Sequence, residues 1–259
     1  MVELDRAGWS APSTWRTSVE DAFRKGAGDW AVFETAAQAF ERLPLADRLA
    51  SPYKKSPGNG MPLDKKGNAT WPPKWGQWKS IKKRLLAISR NKCSYCESAS
   101  GGDQHGQVEH YKPKSIFPTG AYDWDNYLYS CEKCNHSKSN KWPETGAYVR
   151  PDVLGFDPDV FTFADDGTID STDRDGKATI ADFGLDRDGL VASRQVLIEA
   201  ALADVANILK LVDALGLAPP DRRVYVEKKL ARPEMPYSAA INAAVRRAWA
   251  AAFPGEPPL

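Results

Sequence analysis

Residues 93–143 read CSYCESASGGDQHGQVEHYKPKSIFPTGAYDWDNYLYSCEKCNHSKSNKWP, and they hold every cysteine and every histidine of the chain. The cysteines form two C-x-x-C pairs, Cys93/Cys96 and Cys131/Cys134. A two-residue spacer lets one tight turn aim both sulfurs at a single ion, and zinc takes four thiolates in a tetrahedron. A thioredoxin-like redox pair needs only one such motif, and disulfides are disfavoured in a cytoplasmic chain. The reading is therefore a structural Zn2+ on Cys93, Cys96, Cys131 and Cys134. Four thiolates leave no open coordination position, so this ion is a staple and not a catalyst. A lone histidine reads most simply as a packing or surface residue. His105, His110 and His136, straddling one zinc framework, point instead to a site.

Outward from this segment, alternation in 107–111 predicts a strand, and residues 79–89 predict a helix leading into Cys93. Residues 51–73 are rich in Gly, Pro, Lys and Asn and read as a long loop. Amphipathic helical text lies before them, as in 35–43. Beyond the segment, Asp166-Gly167 in FTFADDGTID marks a hairpin turn. Val191, Ile198, Val205 and Val212 then recur every seventh residue, with Leu202 and Leu209 between them. β-branched residues at a with leucine at d suit a two-stranded coiled coil, but over so few heptads an ordinary core helix is the favoured reading. The fold class is α+β: a small zinc-braced core with largely helical N- and C-terminal parts. The chain divides into 1–73 (helical part and loop), 74–150 (core with a basic lead-in helix) and 151–259 (acidic hairpin segment and helical part).

A hydrophobic fraction of 42% and a charged fraction of 27% fit a soluble globular protein. With no apolar leader and no run of about 18 apolar residues, a cytoplasmic location without membrane contact is expected. The net charge of +1 conceals an uneven distribution. Residues 71–92 carry Lys74, Lys79, Lys82, Lys83, Arg84, Arg90 and Lys92 with no acid among them, interleaved with Trp71, Trp75 and Trp78. Residues 151–190 are dominated by aspartate. Such asymmetry suits one face that meets an anionic partner and another turned away from it. STDRDGKATIAD has EF-hand-like spacing, but Ser171 replaces the first aspartate and the final glutamate is missing, so a solvated acidic loop is the expectation.

The order C-x-x-C, Glu109-His110, Asn126 in DWDNYLYSC, then C-x-x-C-N-x-x-K resembles the HNH, or ββα-metal, endonuclease family. The fuller text, with GKATIADFGLDRDGLVASR downstream, is most similar to the anti-phage HNH proteins of the Septu (PtuB) and retron-associated groups. The HNH likeness covers about a fifth of the chain.

The resemblance implies a nuclease whose catalytic residues are Glu109, His110, Asn126 and Asn135. Glu109 and Asn135 would ligate Mg2+ or Mn2+, since carboxylate and amide oxygens suit a hard cation. His110 would be the general base, because a neutral imidazole accepts a proton near pH 7. Asn126 would hold the loop that orients His110. Many members have aspartate at the position of Glu109, and many have histidine directly after the last cysteine, where this chain has Asn135 and then His136; Asn135 is placed above His136 as ligand. His105, in a glycine-rich loop, reads as a surface or substrate contact. Lys112, Lys114, Lys133, Lys138 and Lys141 fit phosphate contacts, which position nucleic acid without reading its sequence. The expected substrate is DNA, with RNA such as tRNA as the alternative, and a non-catalytic zinc module that binds nucleic acid or a partner as the second. The expected setting is an anti-phage system with an ABC-type ATPase (PtuA-like) as partner subunit.

Overall fold

A computed structural model describes residues 4, 10–71, 78–99, 106–153 and 156–259. Three helices open the chain: α1 (Trp15–Lys25), α2 (Trp30–Glu41) and α3 (Leu45–Ala50). Asp29 starts α2 by accepting the amides of Ala31 and Val32, which the first turn would otherwise leave unpaired. After an irregular stretch comes α4 (Trp78–Ile88), which buries Ile81, Leu85 and Ile88 on one face, spaced as successive helical turns require.

The centre is small. Strand β1 (Gln107–His110) pairs antiparallel with β2 (Tyr127–Ser130), with Glu109 opposite Leu128 and His110 opposite Tyr127. Helix α5 (Glu132–Lys138) follows directly, with Cys131 as its N-cap. All four residues of β2 are buried because the ribbon is covered on both faces. Tyr127 and Tyr129 join an aromatic core with Trp15, Phe23, Phe33 and Tyr53 from the N-terminal part and Tyr122 from the loop before β2. Leu128 joins a second core with the four cysteines, Phe163, Phe183 and Ile198. Alternation along a strand sends successive side chains to opposite faces, so one strand serves two cores.

The C-terminal part begins with a short hairpin, β3 (Thr162–Phe163) and β4 (Ile169–Asp170), turning at Gly167 with a φ of +84°. Then come α6 (Arg174–Phe183), α7 (Asp188–Ala214), α8 (Pro219–Glu227) and α9 (Ser238–Ala252). The seven-residue pattern of α7 is a core stripe: Ile198, Val205 and Val212 are buried, and Val205 packs in one cluster with Val226 of α8 and Val245 and Trp249 of α9. The EF-hand-like spacing is a helix start. Asp173 caps α6 through the amides of Asp175 and Gly176, so its carboxylate is committed to backbone. The architecture is α+β, a small ββα unit between helical parts, as the sequence predicts. No helix among the described residues is long and apolar enough to cross a membrane.

Candidate metal and nuclease centre

The two cysteine pairs arrive from different elements. Cys93 and Cys96 lie in the turn after α4, which is tied to the ribbon by the Ser94 amide donating to the Tyr129 carbonyl at 2.9 Å. Cys131 and Cys134 lie in the first turn of α5. All four sulfurs fall within 4.8 Å of one another and are buried. A tetrahedron of Zn–S bonds of about 2.3 Å has edges of about 3.8 Å, and Cys96 Sγ lies 3.8 Å from Cys131 Sγ. The donors and their spacing fit zinc. The surroundings suit a thiolate cluster too: Ser98 Oγ is 3.1 Å from Cys96 Sγ, and Arg187 Nη1 is 3.7 Å from Cys134 Sγ.

Beside this staple lies a cleft of about 500 Å3, lined by Glu109, His110, Lys114, Asn135, His136 and Asn140 among others. His110 Nε2 is 2.9 Å from the carbonyl of Ala121. A carbonyl only accepts, so Nε2 carries the proton and Nδ1 keeps its lone pair. Burial, and then the Lys114 ammonium, hold the imidazole down to about 3, so it is neutral at pH 7. An anionic phosphodiester in the cleft acts in the opposite direction and raises it.

Asn126 is 4% exposed and grips the segment after His110 at three points. Its Oδ1 accepts the Lys112 amide at 2.7 Å, while Nδ2 donates to the carbonyls of Lys112 and Gly120 at 3.0 and 2.8 Å. Asn135, half-buried on α5, donates from Nδ2 to Gln107 Oε1 of β1. His136, its neighbour, is exposed at the same cleft. Glu109, on the opposite face of β1 from His110, is 3% exposed. A carboxylate, an amide and an imidazole belong to residues that line this cleft, and the oxygen donors among them suit a hard divalent cation.

The expected phosphate contacts divide. Lys112 is exposed, and Lys114 lines the cleft with its ammonium 5.4 Å from the centre of the Trp71 ring. Lys133 is exposed, and Lys141 stands 3.5 Å from Asp182 while remaining 53% exposed. Lys138 is a correction: it is 1% exposed, because its ammonium is turned inward onto Glu109 and the His110 carbonyl, away from any nucleic acid. Lys92 likewise leaves the basic track, since its ammonium is buried on Ser238 Oγ and the Met235 carbonyl. Trp71 packs against Phe33, Tyr53 and Tyr122. His105, Lys74 and Trp75 lie outside the described residues, as do the side chains of Trp78 and Lys79.

Sequence reasoning missed the support given by the N-terminal part to the segment between His110 and Asn126. Glu41 Oε1 accepts both the amide and the hydroxyl of Thr119, at 2.7 and 2.6 Å. Trp15 Nε1 donates to the Tyr122 carbonyl at 2.8 Å, and Arg48 Nη1 to that of Ile116 at 3.1 Å. These partners lie more than 60 positions from the loop and have no motif.

Comparison with known proteins agrees with this geometry. The family model described as HNH endonuclease matches residues 93–141. The Septu protein PtuB of Bacillus thuringiensis is 28% identical over 153 residues, covering 58% of this chain and 57% of that protein. The Septu protein PtuB of Bacillus mycoides (strain KBAB4) is 32% identical, over 25% of this chain and 26% of its own. The chain thus spans a little over half the length of the first of these relatives. No solved structure matches significantly. Residues 93–141 are an HNH endonuclease domain, and the chain that carries them is similar to Septu PtuB proteins.

Proposed function

We propose that the chain is a metal-dependent endonuclease that hydrolyses phosphodiester bonds in DNA, as the effector subunit of an anti-phage defence module with an ABC-type ATPase partner. The observation that carries the chemistry is that Glu109, His110 and Asn135 line one cleft next to the cysteine cluster. Glu109 and Asn135 would hold Mg2+ or Mn2+, which when bound neutralises charge on the phosphate. His110 Nδ1 takes a proton from water, the water oxygen bonds to phosphorus, and the bond from phosphorus to the leaving sugar oxygen breaks. Asn126 keeps the 111–120 segment, and so the Ala121 carbonyl, in register with His110. Lys112, Lys114 and Lys141 draw the phosphate backbone toward the cleft. The defence setting and the partner rest on the likeness to Septu PtuB.

The test is cleavage of supercoiled plasmid and of tRNA by the full chain in Mg2+ or Mn2+, with His110→Ala beside it. The variant is expected to lose about 10²–10⁴-fold in rate while keeping zinc and nucleic-acid binding, as removal of a general base does. Asn135→Ala is expected to be weakened and partly rescued by more Mn2+. A defect in His136→Ala with none in Asn135→Ala reverses the ligand assignment. Cleavage of tRNA alone makes RNA the substrate, and cleavage of neither favours a binding module.

A further inference from the structure

The lysine that leaves the phosphate track has a different place in the site. Lys138 closes α5, one helical turn after Asn135, so the two side chains lie near one another on the face turned to β1. The Lys138 ammonium meets the Glu109 carboxylate and also donates to the main-chain carbonyl of His110 at 2.6 Å. One cation therefore holds the side chain of the expected metal ligand and the backbone of the expected base. Both charged groups are almost wholly buried, at 1% and 4% side-chain exposure. Glu109 lines the cleft but Lys138 does not, so the ammonium contacts the carboxylate from outside the substrate space.

A pair of this kind is an expensive way to join a helix to a strand. Desolvating two charges offsets much of their attraction, and an apolar pair of similar volume often holds a fold as well. Geometry offers a reason for keeping it. Lys138 contacts one carboxylate oxygen, Oε1, and a carboxylate has a second. Glutamate also has one more rotatable bond than aspartate, so a ligand of this length needs an anchor if its carboxylate is to stay in one orientation.

We propose that Lys138 is a positioning residue for the catalytic cation: it anchors one oxygen of Glu109, reserves the other for the metal, and fixes the His110 backbone relative to both. This rests on the reading of Glu109 as a ligand. Hydrogen-bond partners behind a metal ligand tune its affinity, and their loss costs about 10–100-fold.

The experiment is Mn2+ binding to the full chain, followed by the electron paramagnetic resonance of free Mn2+, with zinc content and thermal unfolding measured on each sample. Lys138→Gln keeps a neutral donor of shorter reach, and Lys138→Met removes the donor. The expected result is Mn2+ affinity about 10–100-fold weaker in Lys138→Gln, with zinc retained and cleavage partly restored by raising Mn2+. Unchanged or tighter Mn2+ binding in a zinc-loaded variant overturns the proposal, the tighter case making Lys138 a competitor of the metal. Loss of zinc and fold in both variants overturns it as well, because Lys138 is then a strut of the fold. Glu109→Gln separates the two readings. If that variant binds Mn2+ as the parent does, the ligand assignment itself fails. If it loses Mn2+ while Lys138→Gln does not, only the role of Lys138 fails.

Discussion

Asn126 and His110 illustrate how a residue type acquires its role from its partners. An asparagine presents one acceptor and two donors in a plane, and Asn126 uses all three on main-chain groups of Lys112 and Gly120. It acts as a piece of backbone that bridges the two ends of the loop after His110. The Gly120 position is tight enough that a Cβ there would meet Asn126 Nδ2 at 3.1 Å. Replacing Asn126 with Ala strands these groups, at a cost of about 1–3 kcal/mol for buried partners left unmade. Urea unfolding measures that cost. The rate of cleavage at temperatures where the variant is fully folded is expected to fall further than stability alone explains, since Ala121 would no longer hold the His110 ring.

At the scale of elements, the ββα unit is short of internal support. Its strands have four residues each and α5 has seven, whereas isolated hairpins and helices of such length are marginal in water. The cysteine cluster joins the turn after α4 to the start of α5, and zinc binding at such sites supplies folding free energy of order 10 kcal/mol. Cys131→Ser also removes the sulfur that accepts the Cys134 amide. That variant is expected to lose zinc together with helical signal, as circular dichroism and metal analysis would report. A chelator strong enough to strip the parent is expected to do the same. The second support is the N-terminal part, through Glu41, Trp15 and Arg48. Glu41→Ala frees Thr119, two residues before Ala121. Misplacing a reacting group by about 1 Å costs up to about 100-fold, so kcat is expected to fall toward that bound with zinc content unchanged. An unchanged kcat would make the Glu41 contact merely structural.

For the whole molecule, charge is sorted by place. Lys82, Lys83 and Arg84 on α4 and Lys112 and Lys114 near the cleft lie on the solvent side of the nuclease unit to varying degrees. Asp165, Asp166 and Asp170 sit exposed on the β3–β4 hairpin. Parts of the acidic stretch are used internally: Asp152 is buried on Arg150, and Asp182 accepts the Tyr148 hydroxyl at 2.7 Å. Asp165 meets Arg247 of α9, and Asp166 closes its own turn through Thr168. The hairpin remains an acidic surface that would repel nucleic acid and suits a basic patch on a protein partner, where complementary charge speeds and orients docking. Reversing Asp165, Asp166 and Asp170 to lysine is expected to weaken a complex with the proposed ABC-type ATPase partner, seen by co-expression and size-exclusion chromatography, with zinc content unchanged. A chain that runs alone and cleaves at full rate in the absence of that partner removes the subunit reading. The apolar stripe of α7 is not available for such docking, because Ile198, Val205 and Val212 are core.

What the sequence determined by itself was whatever depends on short spacing. Two C-x-x-C pairs bring sulfurs together within single turns, so the cysteine cluster was legible as text. Alternation around Glu109 placed β1, and Asp166-Gly167 placed the hairpin turn. The N-x-x-K spacing also held the clue to Lys138, since three positions on a helix share a face, but its sign is the same for a lysine facing solvent and one facing a carboxylate. Only the tertiary structure decided between them, because the difference lies in what β1 sets opposite α5. The same holds for Lys92, for Trp71 and for the seven-residue stripe of α7: pattern shows that a residue has a face, and packing determines what that face meets. The grip of Glu41, Trp15 and Arg48 on the loop beside His110 left no mark in the text at all. Each of these three contacts reaches across more than 60 residues to a main-chain carbonyl or amide, which almost every residue type offers, so no local residue choice announces them.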